Sequence, residues 1–254
     1  MLGLAAHDFA VGESFTEMDD ALDVGFTFAF QPIHDLKGST VEAHEALVRG
    51  CNGESAASVI AAIRPQNQYR FDQACRVRAI ADAAHHGIEG RLHLNCGQIT
   101  PETIHQAIRE TRQAAVAHGI EPGRIVLEFS SLEKLGDPRQ LDQAREIAHR
   151  AGFRVLADNI GVGEVGLKRI AVFKPDYVKL DRSLLRGIDK SLRRQAIVFG
   201  LVATARMLGA TVIANGVERI EELRWLQAAG ITHAQGYLLG KPAVPKSDLR
   251  PLAV

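Results

Sequence analysis

The sequence predicts an α/β barrel. Short β-rich runs alternate with longer amphipathic stretches along most of the chain, and several of those stretches close on a glycine just before the next β-rich run. Strands separated by helical patterns of about 10 to 15 residues mark repeated βα units and a parallel sheet. With this many units, a closed barrel is favoured over an open sheet.

Taken in order, FTFAFQPI reads as the first strand, SAASVIAAI and residues 69–86 as helices, and RLHLN as the next strand. IHQAIRETRQAAVAHG then leads into RIVLEF, LDQAREIAHRAG into RVLADN, and GLKRIAVF into YVKLD. RRQAIVFGLVATARMLG leads into TVIAN, and IEELRWLQAAG into HAQGYLL. Gly119, Gly152, Gly209 and Gly230 each follow an amphipathic stretch, the place of a glycine that ends a helix in the left-handed conformation. Residues 1–20 find no partner in the pattern and read as a linker or capping segment, leaving the barrel to 21–254. There is no internal repeat.

A chain of 254 residues suffices for one large domain, and α/β barrels reach this size undivided. Lys plus Arg and Asp plus Glu both number 30, which argues against a long electrostatic footprint on duplex nucleic acid or an anionic membrane. An anionic ligand must therefore be held locally. Cys51, Cys75 and Cys96 are odd in number and lack CxxC spacing, which disfavours a disulfide framework or a cysteine zinc site. No apolar run approaches the roughly 18 residues of a membrane span, and MLGLAA lacks the basic start of a signal peptide. A cytoplasmic protein is expected. None of the ten histidines shows metal-ligand spacing such as HExxH, and they read as surface or rim residues.

Glu45, Asn95, Glu128, Asp158, Lys179 and Asn215 all stand at the ends of apolar runs. Catalytic residues of a barrel come from the C-terminal ends of several strands, so the set says more than any member. Singly, each has a plainer explanation: Glu45 as a surface acid paired with Arg49 one helical turn on, Asn95 and Asn159 as turn residues, Lys179 as a rim cation. Asn159 and Asn215 carry amides where a metal site built on this pattern would use acids.

Eight blocks, in order, carry a resemblance. Gln31-Pro32-Ile33 precedes Glu45-Ala46-Leu47-Val48-Arg49, followed by Leu94-Asn95 and Leu127-Glu128-Phe129-Ser130. Asp158-Asn159-Ile160-Gly161-Val162-Gly163, Lys179-Leu180-Asp181-Arg182-Ser183, Ala214-Asn215-Gly216-Val217-Glu218 and Gln235-Gly236-Tyr237-Leu238 complete them. Over residues 23–242 the chain resembles the EAL domain family, the bacterial cyclic di-GMP phosphodiesterases and their inactive relatives. Around Glu45 it is similar to EAL domains joined to blue-light sensors. The resemblance implies a modified TIM-type (β/α)8 barrel with one early strand antiparallel to the rest, and a possible homodimer. It also implies two Mg²⁺ or Mn²⁺ ions that activate water to open the cyclic dinucleotide to linear pGpG.

Residue by residue, Glu45, Asn95, Glu128 and Asp158 match the ligands of the first metal, oxygen donors suited to hard cations. Lys179 matches the lysine that meets the nucleophilic water and phosphate, and Glu45 is catalytic with it. Gln31, Arg49, Asp181 and Gln235 match positions that line the dinucleotide pocket, where a guanidinium can hold phosphate in two bonds.

The departures fall on the second metal. Asn159 and Asn215 replace two acids, and a unit charge at about 4 Å is worth on the order of 4 kcal/mol at an effective dielectric near 20. One such loss weakens binding about a thousandfold, at about 1.4 kcal/mol per factor of ten. The second metal is expected to be absent, with Mg²⁺ or Mn²⁺ possible at one site. Ser131 replaces a glutamate that holds an active-site loop in active members, Glu133 being two residues too far on, and Val162 replaces a threonine.

A degenerate domain follows, one that binds cyclic di-GMP as a receptor with lost or strongly reduced hydrolysis and signals through a protein partner or a linked sensor or output domain. The alternatives are a slow metal-dependent phosphodiesterase giving pGpG and a protein-interaction module that no longer binds nucleotide.

Overall fold

The computed structural model describes residues 24–161 and 167–245. Its strands are β1 (Phe26–Asp35), β2 (Thr40–Gly50), β3 (Arg91–Asn95), β4 (Ile125–Phe129), β5 (Arg154–Ile160), β6 (Tyr177–Leu180), β7 (Thr211–Asn215) and β8 (His233–Gln235). They close into a barrel in chain order. β1 runs antiparallel to both β2 and β8, and every other neighbouring pair is parallel. This is the predicted barrel with one antiparallel strand.

Alternation along each strand makes the wall, because successive side chains point to opposite faces. In β1, Phe26, Phe28 and Phe30 join the large cluster that packs the helices, whereas Ile33 belongs to a small separate one with Ala43, Val126, Leu156 and Ile213. The small cluster is the apolar plug of the barrel. Two residues further along five of these strands stand Glu45, Glu128, Asp158, Lys179 and Asn215, in step with Ala43, Val126, Leu156, Tyr177 and Ile213. A polar layer therefore sits on an apolar one at the C-terminal end of the parallel strands.

The helices are α1 (Ala56–Ala62), α2 (Gln68–His85), α3 (Ile104–Ala117), α4 (Pro138–Arg150), α5 (Leu167–Phe173), α6 (Arg182–Leu185), α7 (Leu192–Met207) and α8 (Ile220–Ala228). Local chemistry sets their ends. Asp137 caps α4 through the backbone N–H groups of Arg139 and Gln140, with Pro138 in the first turn. Gly119, Gly152, Gly209 and Gly230 all have positive φ, as expected of helix-ending glycines.

Three readings of secondary structure need correction. Residues 40–50 form a long strand, so Glu45 and Arg49 are not one helical turn apart; four residues of strand separate them by roughly 13 Å. Glu45 is also not the end of its strand: its pairing with β3 stops at Glu45, but its hairpin with β1 runs on to Gly50. The last strand is shorter than HAQGYLL, since the chain leaves the sheet after Gln235. The readings for residues 1–20 and Val162 lie outside the described residues.

Phe173, fully buried, meets Phe129 edge to face at 5.5 Å between the barrel wall and α5. Phe173→Ala is expected to cost about 3–5 kcal/mol, read as a lowered denaturant midpoint; a loss below about 1 kcal/mol would mean the wall does not depend on this contact.

Candidate functional site

Strand register brings the polar layer together. Asn95 pairs with Glu128, and Asn215 with Gln235, across neighbouring strands. In β5 the register shifts between Ala157 and Ile160, a bulge that lifts Asp158 and Asn159 off the ladder at the barrel mouth. Asn159 takes φ 57°, a left-handed conformation that Asn and Asp tolerate better than other side chains.

Lys179 is the centre, its side chain 1 % exposed. Its Nζ donates to Glu128 Oε1 at 2.7 Å and Oε2 at 2.6 Å, and lies 3.1 Å from Glu45 Oε2. Gln235 Nε2 donates to the same Glu45 oxygen at 2.6 Å, and Asn95 Nδ2 to Glu45 Oε1 at 3.3 Å. His93 Nδ1 lies 2.7 Å from Glu128 Oε1 and donates to it in the tautomer protonated there. All four carboxylate oxygens of Glu45 and Glu128 thus meet side-chain donors. Asp158 Oδ1 and Gln235 Oε1 are buried without a hydrogen-bond partner.

His93 corrects the reading of the histidines as surface or rim residues, because it is buried inside the barrel. The signal available was its place two residues before Asn95, on the same face of β3.

The electrostatics follow from one cation among three acids. Burial opposes the Lys179 charge, but Glu128, Glu45 and Asp158 outweigh it and hold the ammonium above its ordinary value. Burial raises Glu45, yet the Lys179 charge and the hydrogen bonds from Gln235 and Lys179 bring it down to about 2. Burial and the Glu45 charge push Glu128 up to about 8, and burial pushes Asp158 up to about 7, with Lys179 offsetting only part. Burial and the Lys179 charge hold His93 down at about 3, so the imidazole is neutral.

The other predicted site residues surround this network. Gln31 is tied inward, accepting from Gln235 Nε2 at 2.8 Å and donating to the Gly240 carbonyl at 2.9 Å. Arg49 lies on the same face of β2 as Glu45 by alternation, and its Nη1 donates to the Val48 carbonyl at 2.7 Å. Asp181 caps α6 by accepting from Ser183 N at 2.8 Å. Ser131 precedes the short helical turn Leu132–Leu135 without a side-chain cap, and Glu133 is exposed. From Glu45 and Asn95 a cleft of about 300 Å³ opens between β2 and α2, walled by Phe28, Val48, Ile60, Ile63 and Phe71.

A model of the EAL domain matches residues 17–242. The chain belongs to the EAL domain family. Among curated relatives, the blue light- and temperature-regulated antirepressor BluF of Escherichia coli is 29% identical over 217 residues, 84% of this chain and 53% of that protein. Among solved structures, a standalone versatile EAL protein from Vibrio cholerae in its c-di-GMP-bound form superposes at TM-score 0.82 with 37% identity, covering 89% of this chain and 95% of that one. Klebsiella pneumoniae BlrP1 was solved with manganese and cyclic di-GMP (TM-score 0.79, 32% identity, 87% of this chain and 57% of that one). It was also solved with FMN and cyclic di-GMP and no metal ions (TM-score 0.71, 30% identity, 87% and 54%). The chain spans about half the length of BluF and less of several other curated relatives. No helix among the described residues of this EAL barrel is long and apolar enough to cross a membrane.

The raised Asp158 carboxyl has a consequence in chelator. Folded Asp158 holds a proton that the unfolded chain releases near pH 4, so its contribution is complete below that range and is lost as pH rises through about 7. His93 acts oppositely, but only below its ordinary value of 6.5. In EDTA, the thermal midpoint is therefore expected to fall between pH 6.5 and 8.5. A flat or rising midpoint would contradict the raised value.

Proposed function

We propose that this chain is a degenerate EAL domain that binds cyclic di-GMP as a receptor or signalling module, with phosphodiesterase activity lost or strongly reduced. The observation that carries this reading lies at the second-metal positions, where Asn159 and Asn215 put amides in place of the carboxylates a second ion would need. Beside them Lys179, His93, Asn95 and Gln235 meet the oxygens of Glu45 and Glu128. BlrP1, solved with cyclic di-GMP and no metal ions, is a relative in which the two are separable.

One metal ion fits the donor chemistry. Glu45, Asn95, Glu128 and Asp158 would hold it through hard oxygen donors, and the buried, unpartnered Asp158 Oδ1 supplies a free lone pair. Bound there, Mg²⁺ or Mn²⁺ would polarise the phosphodiester and acidify a water. Lys179 competes for the same oxygens, and among the described residues no three His, Cys, Asp or Glu side chains converge as a metal cluster. Asp158 Oδ1 is also what favours the second reading, a slow phosphodiesterase with one strong metal.

The chain's own residues do the binding. The Arg49 guanidinium is the cation offered to a phosphate, and the cleft walls offer apolar surface to a base. Gln235 Oε1, buried and unpartnered, is a ready acceptor for a ligand N–H. Asp181 and Gln31 complete the polar rim. We place the barrel domain at 21–254, with 1–20 as linker or capping segment, in a cytoplasmic protein that reports through a partner or a linked sensor or output domain.

The test is restoration. Wild type is expected to retain cyclic di-GMP uncleaved, and Asn159→Asp with Asn215→Glu to raise Mn²⁺-dependent turnover by orders of magnitude. Rapid cleavage by wild type, or no gain in the double variant, would overturn the second-metal explanation. Arg49→Ala is expected to weaken nucleotide binding by about 1.5–3 kcal/mol, the range for hydrogen bonds to charged groups; unchanged affinity removes Arg49 from the pocket.

A further inference from the structure

The rim of the barrel carries a second hollow. It holds about 340 Å³ between α6 and the turn entering α8, and it shares no lining residue with the cleft beside Glu45. Arg182 stands two residues past β6 and Gly216 one past β7, so the hollow lies at the same end of the barrel as the polar layer.

The charges that line it are unequally engaged. Glu222, 3 % exposed, accepts from the backbone N–H of Gly187 at 2.8 Å and from those of Glu218 and Arg219 at 3.2 Å. Arg219 lies 3.5 Å from Asp189 and 2.9 Å from Glu221. Among the described residues, the side chains of Arg182 and Arg186 meet no acid and no other hydrogen-bond partner. Unpaired arginines are ordinary on a surface, but these two line one hollow. They are also one helical turn apart, a spacing at which like charges repel.

Two independent features favour an anion there. Residues 182–194 carry Arg182, Arg186, Lys190, Arg193 and Arg194 against Asp189 alone, in a chain whose charges balance at 30 each. The hollow is also floored with bare backbone at Gly187 and Gly216, with φ 68° and 74°. A Cβ on Gly216 would stand 2.4 Å from Arg182 Cβ. Glycine thus lets the stem of Arg182 seat against the chain, which fixes the base from which its guanidinium reaches.

We propose that this hollow is a site for a phosphate monoester, bridged by the Arg182 and Arg186 guanidiniums and separate from the cyclic di-GMP pocket. Each guanidinium can hold phosphate oxygens through two parallel N–H bonds. A monoester carries about −1.5 to −2 charges near pH 7, which matches two cations. A carboxylate or a phosphodiester carries one and leaves the second arginine unmatched. The volume falls at the lower end for small-ligand sites.

Titration calorimetry with inorganic phosphate, GMP and guanosine, at low ionic strength and without cyclic di-GMP, tests this independently of dinucleotide binding. Both anions are expected to bind saturably and guanosine not at all. Equal affinities assign the site to free phosphate, and tighter GMP assigns it to a nucleotide monoester. Arg182→Gln with Arg186→Gln is expected to weaken phosphate binding at least about tenfold, with the thermal midpoint unchanged. Should the pair lower the midpoint, the exposed Arg186→Gln alone is expected to weaken it at least about threefold. Repeating the titration in saturating cyclic di-GMP is expected to leave phosphate affinity unchanged. No saturable binding of either anion, binding of guanosine as tight as that of GMP, affinity that the variants leave intact, or displacement of phosphate by cyclic di-GMP overturns the proposal.

Discussion

A buried ammonium must be surrounded by acceptors, and Lys179 imposes that requirement on half the barrel. Removing an ion from water costs several kcal/mol even after relaxation, so a side chain only 1 % exposed cannot stay charged alone. Glu45 from β2 and Glu128 from β4 approach within hydrogen-bond distance, and Asp158 from β5 adds its field. Four strands are thereby tied to one charge. The apolar plug beneath, with Ile33, Val126, Leu156 and Ile213, shuts out water on that side and keeps the interaction strong.

One cation does not neutralise three carboxylates. Glu45 and Glu128 hold the Lys179 ammonium between them, while burial pushes Asp158 toward its protonated form, so a proton supplies part of the charge balance a divalent ion would supply. Asn159 and Asn215 act in the same direction. Each further acid at this spacing would add repulsion on the order of 4 kcal/mol at an effective dielectric near 20, and with it a demand for metal. In the reading proposed above the amides remove that demand, and the site closes on its own lysine. The neutral His93 fits this economy, since it gives Glu128 a hydrogen bond without adding charge.

Most of the barrel was legible because its parallel strands are buried on both faces and read as compact apolar runs ended by one polar residue. Asn95, Glu128, Lys179 and Asn215 each ended such a run. β2 was not legible as a strand, because VEAHEALV mixes good helix formers with its alternation and its long hairpin with β1 overrides their propensity. His93 escaped because spacing templates for metal ligands look along the sequence, whereas its partner Glu128 lies on the neighbouring strand. The inward commitment of Gln31 and Gln235 was equally invisible, since amides at strand ends give the same text whether they face a ligand or each other.

The most direct test of a site that closes on its own lysine is titration calorimetry of cyclic di-GMP into the protein in EDTA, repeated in Mg²⁺, with the cell contents assayed for linear product. A self-satisfied network predicts saturable binding of similar affinity in both buffers and intact nucleotide afterwards. Binding that requires Mg²⁺, or none to a folded sample in either buffer, would contradict it.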